Sequence, residues 1–204
     1  KTEFITLSFE ELKEIEYKEI KIKELDITRD WLLICCYTAQ RVGDFLNYTK
    51  DNLITLDDDN LYLDIVQAKT KQQVYIPLNN TIKRILKKYN NNFPPLYSKS
   101  KSYNEKKFNE LVKRVGSYCG LNEIVTANLK VKNRLETITD KKYKFLQSHT
   151  GRRSFATNYN GKINTRLIMA ITGHKSETVF NNYIQRKPDE LAKEFAIQSS
   201  KLDN

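Results

Sequence analysis

The two histidines of this 204-residue chain, His149 and His174, share one stretch with Arg152, Gly173 and Tyr183. His149 and Arg152 stand three apart, so on a helix they lie on one face. His174 follows Gly173 at the expected start of a further helical turn, and Tyr183 comes nine residues later. Neither a carboxylate pair nor a run of metal ligands accompanies them. One chemistry that wants two imidazoles, a guanidinium and a phenol is transfer of a phosphodiester to the phenol oxygen. Guanidinium and imidazole donors would hold the phosphate oxygens as charge builds in the transition state. The phenol oxygen would attack phosphorus. A free tyrosine, with a pKa of about 10, is a weak nucleophile until positive charge nearby favours the phenolate.

Taken together, His149-x-x-Arg152, then Gly173-His174, then Tyr183 closely resembles box II of the tyrosine recombinases, or phage-type integrases. The wording Ser-His-Thr-Gly-Arg-Arg-Ser-Phe-Ala-Thr-Asn and Met-Ala-Ile-Thr-Gly-His-Lys is similar to integrases of Bacteroidetes mobile elements. A second segment, Thr38-Ala39-Gln40-Arg41-Val42-Gly43-Asp44-Phe45, resembles box I of the same family. There Arg41 matches the first catalytic arginine and Asp44 the acidic position. The family more often has Gly where Ala39 stands and an apolar residue where Gln40 stands. Taken without the resemblance, Arg41 reads as a surface ion pair with Asp44.

The resemblance implies an α+β, mainly α-helical catalytic-domain fold with a small three-stranded antiparallel sheet. It also implies a role for each residue. Arg41 and Arg152 would each offer a planar fork to the non-bridging oxygens of one DNA phosphate. His174 would donate a further hydrogen bond to that phosphate, and His149 would assist as acid or base. Family members carry a catalytic lysine in a β-hairpin shortly before a Val/Ile-Pro-Leu ending. Ile76-Pro77-Leu78 supplies the ending, and counting back selects Lys69, with Lys71 as the alternative. That lysine would protonate the departing 5′ oxygen. Tyr183 would become a 3′-phosphotyrosyl link. Lys71, Arg153 and Lys175 are expected to add contacts to DNA.

The expected function is therefore site-specific recombination that integrates or excises a mobile element, without ATP, metal or other cofactor. The rival readings are a type IB topoisomerase-like enzyme and a DNA-binding regulator without catalysis. Double-stranded DNA is the expected partner. A homotetramer would form on DNA through the C-terminal segment, and the isolated chain could be a monomer. Residues 1–204 are expected to be one catalytic domain lacking the N-terminal DNA-binding domains that family members usually carry.

Composition agrees with an anionic partner. Lys and Arg number 35 against 25 Asp and Glu, a formal net charge of +10, which suits a polyphosphate. The chain is long enough to bury a sizeable core. No apolar run approaches the roughly 20 residues that span a bilayer, and a cytoplasmic location is expected. Cys35 and Cys36 are adjacent in an apolar run and Cys119 stands alone, a pattern of buried reduced thiols.

Several elements must position these residues. Ser8 and Glu11 predict a capping box and a helix to about residue 15. Asp30 is expected to open an apolar helix through Tyr37. Three short strands are expected over 52–56, 61–66 and 74–76, with polar turns between them. Helices are expected over 81–90 and 104–119, the second closed by Gly120. The basic stretch 125–146 is expected to be a hairpin or extended excursion. Residues 189–197 predict a short amphipathic helix with Leu191 and Phe195 on one face, packed either on its own domain or on a neighbouring protomer.

Overall fold

The computed structural model describes residues 4–131, 134–181, 183–184, 192–193, 195–196 and 199–200. Helix α1 (Phe9–Tyr17) begins with the expected capping box. Ser8 Oγ accepts from the Glu11 N–H at 3.2 Å, and Glu11 Oε2 accepts from the Ser8 N–H at 2.8 Å. The segment just before it is bound to the far end of the chain. Ser154 Oγ accepts from the Leu7 N–H, and Asn158 Nδ2 donates to the Leu7 carbonyl.

Helix α2 (Lys23–Thr38) runs through the middle of the main core. It starts well before Asp30, contrary to expectation. Asp30 caps nothing; it is buried within the helix. Its carboxylate accepts from Arg29 Nε at 2.9 Å, Lys88 Nζ at 2.6 Å and Tyr89 Oη at 2.8 Å. A buried carboxylate is tolerable only with such partners. The helix closes at Ala39, which takes the left-handed conformation (φ 59°) and is fully buried. A short helix, α3 (Val42–Phe45), follows at once with Arg41 as its N-cap.

Strands β1 (Leu53–Thr55), β2 (Leu61–Val66) and β3 (Gln73–Pro77) form an antiparallel sheet in that order. β3 reaches one residue further than expected at each end. Pro77 is accommodated because it is the last residue of an edge strand. Helices α4 (Asn80–Lys88) and α5 (Lys101–Tyr118) then add their apolar faces to the core. Gly120 (φ 85°) follows the end of α5 and lets the Leu121 N–H donate to the Gly116 carbonyl. The basic stretch is a hairpin of β4 (Ile124–Val131) and β5 (Arg134–Lys141).

Helix α6 (Ser148–Tyr159) crosses α2 closely at Gly151. A Cβ at Gly151 would clash with Cys35 Sγ and come 3.0 Å from the Cys35 carbonyl carbon. Glycine therefore sets how near the two helices lie. Helices α7 (Thr165–Thr172) and α8 (Glu177–Asn181) complete the described elements. They form a second, smaller core in which Phe155, Ala156, Ile168, Phe180 and Ile184 are buried with Ala39. The architecture is the expected one, mainly helical with a small three-stranded antiparallel sheet. Most of residues 189–197, including Leu191, lies outside the described residues; Phe195 is exposed. Among the described residues no helix is long and apolar enough to cross a membrane.

Candidate active site

Among the described residues Arg152 is the largest charged side chain that is fully buried, at 1% exposure. The close crossing at Gly151 carries it to the C-terminal end of α2, where Nη1 donates to the Ala39 carbonyl at 2.9 Å. Nη2 lies 3.3 Å from His174 Nε2. The other imidazole nitrogen, Nδ1, is 2.8 Å from Thr172 Oγ1. An arginine can only donate, so His174 Nε2 accepts and the ring is neutral with its proton on Nδ1.

The sequence placed His174 at the start of a helical turn; it lies between helices instead. Gly173 (φ 69°) ends α7 in the left-handed conformation, and His174 follows before α8 begins. That break in the helix turns the imidazole towards Arg152. Burial, followed by the charges of Arg152 and Arg41, pushes the His174 pKa down from 6.5 to about 4.

Tyr183 stands between two buried anchors of the smaller core, Phe180 and Ile184. Its backbone N–H donates to the Phe180 carbonyl, and its carbonyl accepts from Thr157 Oγ1. The ring sits 4.6 Å from the His174 ring, centroid to centroid. The Arg152 guanidinium carbon is 5.8 Å from the Tyr183 ring centroid.

His149 occupies the first turn of α6, on the same helix as Arg152. The Ser148 N–H donates to Asn109 Oδ1 of α5, which fixes that helix end. Burial lowers the His149 pKa, and the charges of Arg153, Arg152, Arg41 and Lys69 lower it further. Lys69 is exposed in the β2–β3 turn, and its charge is the smallest of these four influences on His149. Lys71, two residues on, adopts φ 57° and is exposed; its N–H donates to the Gln67 carbonyl. Lys175 is exposed just beyond His174.

Arg41 does not pair with Asp44, the reading open to it without the family resemblance. Asp44 Oδ1 instead accepts the Ala68 N–H at 2.9 Å and ties box I to the turn that carries Lys69. Among the described residues, no ion pair includes Arg41, Lys69, Arg152 or Arg153. Arg41 Nη1, Arg152 Nε and Arg153 Nε are buried without an acceptor. Buried donors of this kind are costly, and a guanidinium is the side chain best shaped to pair with an anion. Arg153 is further held against the Phe4 ring, 3.9 Å from its centroid. Burial and the Arg41 charge lower the Arg152 pKa to about 10, which leaves it charged at neutral pH.

The sequence reading missed two residues here, Gln40 and Gln67. Both are fully buried, and their side chains are hydrogen-bonded to each other at 2.6 Å. The departure of Gln40 from the family's apolar preference was a signal for the first; nothing in the sequence singled out the second.

Comparison with known proteins bears on the family and the fold. The family model described as "Phage integrase family" matches residues 7–190. No curated protein sequence matches the chain. A structure of the XerH site-specific recombinase, bound to a palindromic difH substrate after cleavage, superposes with a TM-score of 0.64 at 19% identity. That match covers 95% of this chain and 52% of the other. A lambda integrase tetramer bound to a Holliday junction matches with a TM-score of 0.55 at 20% identity, over 93% and 51% of the two chains. The Tn1549 transposon integrase in complex with transposon right end DNA gives 0.57 at 17% identity, over 97% and 66%. The chain thus spans between about half and two thirds of these proteins.

Proposed function

The chain belongs to the phage integrase family, and on that premise we propose that it is the catalytic domain of a site-specific DNA recombinase. It would cut and rejoin DNA through a 3′-phosphotyrosyl intermediate to integrate or excise a mobile element. The observation that carries this reading is the seating of the Tyr183 ring against both His174 and the Arg152 guanidinium, within a single chain. The buried donors of Arg41, Arg152 and Arg153 that lack acceptors support it.

In this reading Arg41 and Arg152 hold the non-bridging oxygens of one DNA phosphate. The Tyr183 oxygen attacks phosphorus as the bond to the 5′ oxygen breaks. His149, neutral at pH 7 because its pKa is lowered, takes up the phenol proton. Lys69 gives its proton to the departing 5′ oxygen. The resulting phosphotyrosine ester retains the energy of the original diester, and the steps run backwards when a 5′ hydroxyl attacks.

His174 has a conditional part. Its Nε2 accepts from Arg152, so it donates to phosphate only after gaining a second proton or exchanging tautomer. An entering phosphate favours the imidazolium and so supplies the condition. Arg153, Lys71 and Lys175 would contact neighbouring phosphates. Double-stranded DNA is the partner in this proposal, with a homotetramer assembled on it and the cytoplasm as the location.

The test is covalent trapping on a nicked suicide duplex. The DNA would be drawn from a randomised pool, because the target sequence is unknown. A denaturant-resistant, protease-sensitive adduct is expected from the parent protein. Joining of two separate duplexes separates a recombinase from a topoisomerase-like enzyme. DNA binding without any adduct from a fully folded protein would sink the enzymatic reading.

A further inference from the structure

Three segments must hold a fixed spacing for the proposed site to work: the one carrying Arg41, the turn carrying Lys69 and the one carrying His174. Beneath them lie two buried amides. Gln40 Nε2 donates to the Thr38 carbonyl and to the Ile171 carbonyl, both at 2.8 Å. Gln40 Oε1 accepts from Gln67 Nε2 at 2.6 Å. Gln67 Nε2 also donates to the Thr172 carbonyl at 3.3 Å, and Gln67 Oε1 accepts from Thr70 Oγ1 at 2.6 Å.

Every donor and acceptor site engaged here has a protein partner, and Gln40, Gln67 and Thr172 are all fully buried. Gln40 precedes Arg41 directly. Gln67 and Thr70 flank Lys69. Thr172 holds His174 through its hydroxyl. Gly173 leaves the room: a Cβ there would meet the Gln67 amide, with Cδ only 2.8 Å away.

We propose that Gln40 and Gln67 are positioning residues, whose paired amides form a buried bridge that sets the distances among Arg41, Lys69 and His174. Neither residue touches the reacting atoms. A satisfied buried polar network fixes one arrangement where apolar contact alone would tolerate sliding. The catalytic consequence rests on the recombinase reading above; the positioning of His174 does not.

The test uses Gln40→Met, Gln67→Met and the double variant, which keep side-chain length and remove the amides. Asn104→Met is the control. It deletes another buried amide, one that bonds only to Ser98. If a Met variant does not fold, Gln40→Asn or Gln67→Asn shortens the bridge by one methylene instead.

The first readout is the NMR titration of His174 in the protein without DNA, simplified because the chain has two histidines. The charged groups acting on this ring are Arg152 of α6 and Arg41 at the start of α3. Thr172, Phe180 and Tyr183 are its other neighbours. Loosening the bridge should move the His174 midpoint upward by about one pH unit in each single variant. The double variant should move it no further, because the two amides act as one unit. An unmoved midpoint, an equal shift in Asn104→Met, or additive shifts would each overturn the bridge.

The second readout is adduct formation at saturating DNA. It should fall about 10- to 100-fold while the Kd for DNA changes less than about two-fold. A moved His174 with parental cleavage would overturn the catalytic consequence. If the parent itself forms no adduct, the recombinase reading fails, and the titration alone decides the bridge.

Discussion

Arg152 and His174 meet nitrogen to nitrogen, 3.3 Å apart, with the guanidinium donating and the imidazole accepting. The contact joins α6 to the turn after α7 and leaves the histidine uncharged at neutral pH. Burial of the ring first, and then the charges of Arg152 and Arg41, make the folded protein resist protonation there. The unfolded chain accepts a proton there near pH 6.5, the folded chain only near pH 4. Stability from this group is complete above about pH 6.5 and is lost as the pH falls towards 4. His149 is shifted in the same direction. Urea unfolding should therefore show a loss on the order of 2 kcal/mol between pH 7 and pH 4.5. His174→Gln should flatten much of that slope; an unchanged slope would refute the linkage.

Arg152→Lys should not behave as a conservative change. The planar fork serves the Ala39 carbonyl and His174 together, and an ammonium cannot reproduce both bonds. Adduct formation is expected to drop about 10²–10³-fold, the range for losing one transition-state donor. Single-turnover cleavage at saturating DNA is the measurement.

Tyr183→Phe keeps the ring on His174 and removes only the hydroxyl. DNA affinity should stay within about three-fold, since phosphate contacts dominate it, and the covalent adduct should vanish. An adduct surviving this change would assign the nucleophile elsewhere. Phe180→Ala acts differently. It empties the anchor beside Tyr183 and should cost about 3–5 kcal/mol of stability, read from denaturant midpoints.

The two turn lysines can be separated by cleavage rate. The charge of Lys69 acts on His149, whereas Lys71 holds the left-handed position of the turn. Lys69→Ala should slow cleavage by about 10²-fold or more. Lys71→Ala should alter DNA affinity slightly and leave the rate within about three-fold. The reverse pattern would exchange their roles.

Gly151→Ala should destabilise the fold by about 1–3 kcal/mol, because the added methyl enters space held by Cys35. Adding Cys35→Ala removes the sulfur and should recover part of the loss. The Cys35 backbone remains too close for full recovery. Thermal midpoints of the two single variants and the double variant give the answer.

Local signals were dependable wherever a few neighbouring residues decide the outcome. Ser8 and Glu11 capped their helix as read, and β2 ran from Leu61 to Val66 as its alternation required. Asp30 misled because a carboxylate before an apolar run is also what an N-cap looks like. Only its partners Lys88 and Tyr89, far along the chain, reveal a buried hub.

From its sequence alone the chain declared its family motifs, its basic charge, its order of elements and the residue types available for phosphate chemistry. Those properties depend on composition and short-range spacing. The tertiary structure alone decided that Arg152 would be buried against Ala39, that His174 would leave the helix and face it, and that Gln40 and Gln67 would join. The partners in these contacts lie 113, 22 and 27 residues apart in the chain. No local periodicity encodes such pairings. They arise when α6 closes on α2 and the β2–β3 turn meets the end of α7, and burial then favours arrangements in which these polar groups find an acceptor or donor.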